Sequence, residues 1–250
     1  MQCGFINLLN LPELILKQYS GDRFGDKTIH NMQSVQNFTA KNRIFINFLI
    51  VFTLVTALPS LLVPKEYSFY WLNFFHCREL DHFFIAYTYV GDGLFSILLV
   101  LLFFVFKKRL LSFHLLLSFL FSGIVAQVLK SIVRLPRPMA ALGTGSYHYF
   151  IEGVTHSGYN SFPSGHTASA FALALLCGFY IKDFRVQLLL FFLACVVGYS
   201  RIYLGQHFLP DVFAGMLIGC GTAISVRLFI KCPVWIRESD RLTEQLNATA

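Results

Sequence analysis

Residues 200–211 read SRIYLGQHFLPD and place an arginine, a histidine and an aspartate between two long apolar runs. Charged side chains at the edge of an apolar segment are costly, and where they occur they usually serve a function. We therefore interpret His207 as a nucleophile, Asp211 as the acid that orients it, and Arg201 as a phosphate ligand. The rest of the chain must then supply a membrane frame, a proton donor and further phosphate ligands.

The composition is that of a membrane protein. Hydrophobic residues make up 56% of the 250 residues and charged residues only 13%, whereas soluble domains carry about 25% charged residues. The net charge of +7 comes from basic residues scattered between apolar runs, a distribution that suits membrane topology and anion binding rather than nucleic acid. The chain is therefore predicted to be an all-α, polytopic membrane protein.

The apolar runs predict six transmembrane helices, each of which needs about 20 residues. They are residues 44–63, 94–106 (extended back toward Phe84), 113–133, 163–181, 186–199 and 210–230. The segment 65–92 mixes aromatic rings with charges and predicts an interfacial helix that ends at Gly91-Asp92-Gly93. Between its two glycines, Asp92 is predicted to be a turn residue. A long loop, 136–161, joins the third and fourth spans.

Basic residues predict the orientation. They collect in four places that share one side if the spans alternate: Lys41 with Arg43, residues 107–109, Lys182 with Arg185, and Lys231 with Arg237. The positive-inside rule makes that side cytoplasmic. The chain then comprises a cytoplasmic segment 1–43 with an in-plane amphipathic helix at 5–16, a membrane domain 44–231 and a cytoplasmic tail 232–250. The 136–161 loop and residues 200–211 lie on the opposite, non-cytoplasmic face.

Two cations near the end of the third span form a first candidate cluster. Lys130 and Arg137 are seven residues apart, about two helical turns, so that both can point at one anion. An ammonium point charge and a planar guanidinium complement each other as ligands of phosphate oxygens. The alternative is that they are anchors whose charged ends reach the membrane surface, a role that suits Arg134 better than a ligand role.

Residues 163–166, Pro-Ser-Gly-His, form a second cluster at a predicted helix start. The free backbone N–H groups of such a start make an anion site. Ser164 adds a hydroxyl donor, Gly165 permits close backbone approach, and His166 can donate a proton near neutral pH. The alternative is a helix cap beside a histidine that is satisfied by its neighbours.

The third cluster is the opening stretch itself. His207 and Asp211 are four residues apart, and Asp211 falls in the first turn of a helix, where the dipole stabilises a carboxylate. Asp211 could bond one imidazole nitrogen and leave the other free to attack. The alternative is a charged cap beside an interfacial histidine. All three alternatives together would require a chance gathering of catalytic residue types on one membrane face, so we favour a single phosphate site.

The three clusters resemble a known signature. Lys130-x6-Arg137-Pro138, Pro163-Ser164-Gly165-His166 and Ser200-Arg201-x5-His207-x3-Asp211 are together similar to the three motifs of the type 2 phosphatidic acid phosphatase (PAP2) superfamily. All signature positions are present and in order. The resemblance covers about residues 84–228 and leaves out residues 1–43 and the tail.

This resemblance implies a six-helix lipid phosphatase that needs no metal and no cofactor. His207 would attack phosphorus and form a phosphohistidine, Asp211 would orient it, and His166 would protonate the leaving oxygen and then activate water. The phosphoryl oxygens would be held by Lys130, Arg137, Arg201, Ser164 and the backbone of Gly165.

The expected partners are the bilayer and a lipid phosphate. If the chain is bacterial, candidate substrates are undecaprenyl pyrophosphate, phosphatidylglycerophosphate, phosphatidic acid and a lipid A phosphate. The alternative function is that of a non-catalytic protein that binds or transports lipid phosphates, which is disfavoured because every catalytic position of the signature is intact.

Overall fold

The computed structural model describes residues 35–143 and 145–231, together with residues 33, 233, 234, 236, 238 and 245. The predicted helix at 5–16 and most of the 232–250 tail lie outside these residues. The chain divides into two units between Arg43 and Ile44. Residues 35–41 of the first unit are helical, and the site described below belongs to the second.

Helices form the regular structure of the second unit, and the described residues contain no strand, which confirms the all-α prediction for this part of the chain. In chain order the elements are α1 (Arg43–Leu62), α2 (Lys65–Leu72), α3 (Arg78–Tyr87), a 3₁₀ turn (Thr88–Gly91), α4 (Gly93–Val105), α5 (Arg109–Val133), α6 (Pro138–Leu142), α7 (Gly165–Tyr180), α8 (Phe184–Tyr203) and α9 (Leu209–Phe229).

Four helices, α1, α5, α8 and α9, contain enough apolar residues to cross a membrane. A fifth candidate span consists of two segments bent by 56° relative to each other, if they are counted together. The first is α3 with the 3₁₀ turn, and the second is α4. The predicted fourth span corresponds to α7, which has 16 residues and is shorter than the roughly 20 that a bilayer requires. The described residues thus hold four or five candidate spans, and the six-span arrangement stays a prediction.

The segment 65–92 folds as two helices and a 3₁₀ turn, not as the single helix expected from its composition. At the break between α2 and α3, the ring of His76 stacks against Tyr149, with ring centroids 4.8 Å apart, and against Tyr203, at 4.0 Å. Burial lowers the pKa of His76 below its usual value. The break therefore packs against both the long loop and the end of α8.

The central helix of the unit is α7, which contacts α5, α8 and α9. Two glycines of α9 allow the closest of these approaches. A Cβ at Gly215 would lie 2.5 Å from the carbonyl oxygen of Ser164, and one at Gly219 would lie 2.4 Å from that of Ala168. Small residues four apart are a common means of bringing apolar helices together. Here they set the distance between the helices that carry His166 and Asp211.

Gly219→Ala is expected to force α7 and α9 apart and to lower the melting temperature, because overpacking costs about 1–3 kcal/mol. Gly221→Ala is the matched control: both changes raise helix propensity, but a Cβ at Gly221 meets no atom within 4 Å. Thermal unfolding of the purified variants in detergent measures the difference. A Gly219→Ala variant that melts no lower than Gly221→Ala would contradict the close packing of these helices.

Candidate active site

The 163–166 motif lies at the N-terminus of α7, where Ser164 is the N-cap residue. The hydroxyl oxygen of Ser164 accepts hydrogen bonds from the Thr167 backbone N–H at 3.4 Å and the Thr167 hydroxyl at 2.8 Å. Its own proton remains available for donation. The ammonium of Lys130 lies 3.7 Å from the position a Cβ of Gly165 would take. A helix start, a hydroxyl and an ammonium therefore converge, which suits an anion.

The two cations of the first motif reach this region by a different route from the one expected. Helix α5 ends at Val133, and Arg134 adopts a left-handed conformation with φ 45°. Arg137 therefore does not share a helical face with Lys130, and the helical-turn argument for the pair is wrong. Arg134 is exposed, and its Nε donates to the Ser131 carbonyl oxygen at 3.1 Å, in keeping with its interpretation as an anchor.

The stretch 200–211 joins α8 to α9 through a tight turn. Arg201, expected in the connection, lies in the last turn of α8. The chain turns at Gly205, whose φ is 64° and where a Cβ would lie 3.0 Å from the Phe150 ring, so that both the backbone and the space require glycine. The backbone N–H of His207 donates to the carbonyl oxygen of Arg201 at 3.1 Å. This bond holds His207 against the end of α8.

His207 and Asp211 are buried neighbours. Nδ1 of His207 lies 3.6 Å from Oδ2 of Asp211, which is longer than a hydrogen bond. The same Oδ2 accepts from the Ser161 hydroxyl at 2.5 Å and from the Phe208 N–H at 2.9 Å. Catalytic hydrogen bonds often tighten only when substrate is bound. A small shift would let Asp211 accept from Nδ1, and Nε2 would then be the nitrogen free to attack.

The guanidinium of Arg201 is held from the 3₁₀ turn. Its Nη1 donates to the Thr88 hydroxyl at 2.7 Å. Its Nε is buried and has no partner among the described residues, and the same is true of Nδ1 of His207. Buried polar atoms are rarely left unpaired in proteins. The unpaired Nε of Arg201 therefore favours a site that takes an anionic ligand, whereas Nδ1 of His207 faces Asp211.

The predicted site residues lie within electrostatic reach of one another. The ionisable side chains nearest in effect to His166 are those of Arg201, His207, Lys130 and Arg137. Asp211 acts in turn on Lys130, Arg137 and His207. The structure thus brings two imidazoles, three cations and a carboxylate into one cluster at the start of α7 and α9.

Asp92 joins this cluster from a position where only a turn was expected. Its Oδ1 accepts from the Leu94 N–H at 2.8 Å and caps α4. Its Oδ2 lies 3.7 Å from Nε2 of His166. Gly91 makes this possible, because a Cβ there would lie 2.8 Å from the carbonyl oxygen of His166. The glycine before Asp92 is the sequence signal that could have indicated a close backbone approach.

Comparison with known proteins relates this cluster to one family. The profile of the PAP2 superfamily matches residues 111–233, a range that contains all of the predicted site residues. The crystal structure of Aquifex aeolicus LpxE is 32% identical in sequence and has a TM-score of 0.56, covering 63% of this chain and 91% of that one. This chain belongs to the PAP2 superfamily.

Other similar proteins carry the names of lipid phosphatases. A lipid A 1-phosphatase of Rhizobium johnstonii is 30% identical over 48% of each chain. The undecaprenyl-diphosphatase BcrC of Bacillus subtilis is 30% identical over 39% of this chain and 48% of that protein. This PAP2 chain therefore spans about half the length of these relatives. A PAP2 type phosphatidylglycerolphosphate phosphatase from Bacillus subtilis has a TM-score of 0.57 at 23% identity, a likeness of fold.

Within the candidate site, His207 lies in surroundings that favour its neutral form. Its side chain is 2% exposed. Burial lowers the pKa of His207 to about 4, although Asp211 acts in the opposite direction. An imidazole that is unprotonated at neutral pH has the free electron pair that nucleophilic attack requires.

The buried neutral state of His207 makes stability depend on pH. The pKa of His207 is about 4 in the folded chain and about 6.5 when the side chain is exposed on unfolding. Between these values the unfolded chain binds the extra proton, so the free energy of unfolding is expected to fall as the pH falls from about 6.5 to about 4. His207→Gln removes this contribution.

Melting temperatures of the wild type and His207→Gln at about pH 7 and about pH 4.5 measure the effect. The wild type should lose more stability than the variant on acidification. The comparison cancels the contributions of histidines that do not interact with His207, which both proteins share. An equal loss in the two proteins would contradict a buried, neutral His207.

Proposed function

We propose that this chain is an integral membrane lipid phosphatase that hydrolyses a phosphomonoester or pyrophosphate of a lipid through a phosphohistidine at His207. The observation that carries the proposal is the cluster of the buried pair His207 and Asp211 with the partly exposed His166 and three cations at the ends of apolar helices. Membership of the PAP2 superfamily, and relatives named as lipid phosphatases, support it.

In the first step Nε2 of His207 attacks phosphorus, and the bond from phosphorus to the lipid oxygen breaks. Asp211 accepts a hydrogen bond from Nδ1 and stabilises the positive charge that develops on the ring. His166 gives its proton to the departing lipid oxygen. The negative charge of the bound phosphate offsets the cations around His166 and favours its protonated form before the reaction.

Charge on the phosphoryl oxygens is stabilised by donors that are already in place. Lys130, Arg201 and Arg137 supply positive charge, while Ser164 and the backbone N–H of Gly165 supply neutral hydrogen bonds. Preorganised donors of this kind are usually the largest single contribution to catalysis. The unpaired Nε of Arg201 is such a donor, because it is buried and aimed at no group among the described residues.

In the second step His166, now neutral, takes a proton from water as the water oxygen attacks phosphorus. The phosphorus–nitrogen bond breaks, inorganic phosphate forms, and His207 returns to its neutral state. His166 therefore serves as acid and then as base, which restores the starting protonation at the end of each turnover.

The four candidate lipids, undecaprenyl pyrophosphate, phosphatidylglycerophosphate, phosphatidic acid and a lipid A phosphate, share a terminal phosphoryl group on an apolar anchor. The side chains of the cluster bind that shared phosphoryl group. We further propose that α7 completes six spans, that both termini are cytoplasmic and that the site opens on the other face. Labelling from outside the cell of a single cysteine introduced at Gly145 tests this orientation; labelling only from the cytoplasm would contradict it.

Phosphate release by the purified protein in detergent, across a panel of the four lipids and with a chelator present, tests the function. We expect release from at least one of them without added metal. Binding without release from any lipid would establish the non-catalytic alternative. Strict dependence on a divalent metal would contradict the mechanism, even if phosphate were released.

A further inference from the structure

Arg137 is held by two neutral amide side chains. Its Nε donates to the side-chain oxygen of Asn160 at 2.8 Å, and its Nη1 donates to the side-chain oxygen of Gln206. We call Gln206 and Asn160 the amide pair. A guanidinium has five N–H donors in a rigid plane. The amide pair takes two of them, so both hydrogens on Nη2 and one on Nη1 remain for a ligand.

Gln206 is itself held in place by hydrogen bonds of both its side chain and its backbone. It is 3% exposed, and its Nε2 donates to the carbonyl oxygen of Val154. Its backbone N–H donates to the carbonyl oxygen of Arg201 at 3.0 Å. The residue that follows is His207. A single side chain thus connects Arg137, the long loop and the turn that carries the proposed nucleophile.

Asn160 is placed by the end of the same loop. The backbone N–H of Arg137 donates to the Gly158 carbonyl oxygen at 2.8 Å, and that of Ser161 donates to the Leu135 carbonyl oxygen at 3.0 Å. These two bonds join the backbone on either side of Asn160 to the backbone at Arg137. These bonds therefore fix the position of the Asn160 side-chain oxygen relative to the guanidinium of Arg137.

We infer that the amide pair consists of positioning residues that orient the guanidinium of Arg137 for a phosphoryl group. An Arg side chain loses considerable rotamer freedom when it binds an oxyanion, and a pair that fixes it beforehand removes that loss from binding. The amide oxygens are uncharged, so they hold the guanidinium without neutralising it. A carboxylate in either position would hold it equally well but would cancel the charge that attracts phosphate.

This inference rests on the proposed phosphate site, and a double-mutant cycle tests it. Gln206→Met removes both side-chain hydrogen bonds with little change in volume, and Asn160→Ala removes the second acceptor at an exposed position. Each is made in the wild type and in Arg137→Lys. The readouts are the affinity for inorganic phosphate by calorimetry, and kcat and KM for a lipid phosphate that the wild type hydrolyses.

We expect each amide-pair variant to weaken phosphate binding on the order of five- to tenfold in the wild type, as for loss of one oriented hydrogen bond. In Arg137→Lys we expect little further loss, because lysine has no planar fork to orient. Such non-additivity is the signature of residues that act through one another. A purely structural role would give the same loss in both backgrounds.

Gln187→Met is the matched control. Gln187 is also buried, and its Nε2 donates to the carbonyl oxygens of Gly178 and Ile181 at the other end of α7. This variant should leave phosphate affinity unchanged. If Gln206→Met fails to fold, the exposed Asn160→Ala decides the question by itself.

Two failures can be told apart. Phosphate affinity that is unchanged in the amide-pair variants, or that falls equally in both backgrounds, would overturn the inference while leaving the phosphate site intact. Equal phosphate affinity in the wild type and Arg137→Lys would instead overturn the assignment of Arg137 as a phosphate ligand, and the inference with it.

Discussion

His207→Ala is expected to abolish phosphate release, with kcat at least about 10³-fold below that of the wild type. The methyl group of alanine has no electron pair with which to take the phosphoryl group. The measurement is phosphate release from the best lipid substrate. Binding of that lipid should be largely retained, since the cations of the cluster are unchanged.

Trapping the intermediate makes the prediction specific for a nucleophile. Wild-type protein quenched during turnover of a lipid labelled in its phosphate should carry a label that is stable in base and lost in acid, as a phosphorus–nitrogen bond is. His207→Ala should carry none. His156→Ala, which changes an exposed histidine of the long loop, should be labelled like the wild type. A labelled His207→Ala protein would place the nucleophile elsewhere.

His166→Gln is expected to slow hydrolysis of a lipid phosphate by about 10²- to 10⁴-fold, the usual contribution of a general acid or base. The two proposed roles of His166 can be separated with an aryl phosphate, whose leaving oxygen needs no proton. With that substrate His166→Gln should transfer the phosphoryl group rapidly and then stall, because no base activates water.

The expected result for His166→Gln with the aryl phosphate is a burst of phenol equal to the amount of protein, followed by slow turnover. With the lipid phosphate there should be no burst. Stopped-flow absorbance of the phenolate gives both phases. If the variant loses the same factor on both substrates and shows no burst on either, His166 is not the acid of the first step.

Residue type and spacing predicted the charged side chains of the cluster with the exception of Asp92, for which only a turn was expected. His207 and Asp211 are adjacent because they flank the start of one helix, and that relation is local. Lys130 and Arg137 were paired by a helical argument that fails, since α5 ends between them. Lys130 and Arg137 are close because contacts with residues distant in sequence hold Arg137 at the cluster. Such long-range packing cannot be read from local spacing.

The neutral side chains that hold the charged ones were not predictable in the same way. Thr88, the adjacent pair Asn160 and Ser161, and Gln206 lie in three different parts of the sequence, and each looks like an ordinary polar loop or helix residue. Only the folded chain brings each to its partner. The six-span count stays a prediction for a related reason: the helix of the predicted fourth span begins at Gly165 rather than at Pro163 and has only 16 residues.

The glycine contact between α7 and α9 joins the N-terminal ends of the two helices into one rigid unit. His166 belongs to α7 and Asp211 to α9. The Ser164 N–H donates to the carbonyl oxygen of Asp211 at 3.0 Å across the contact. A binding site for a lipid of another width must therefore be formed by changes in the elements around this rigid unit. Directed evolution of substrate range should accumulate changes in α1 to α4 and in the long loop, and leave Gly215 and Gly219 untouched.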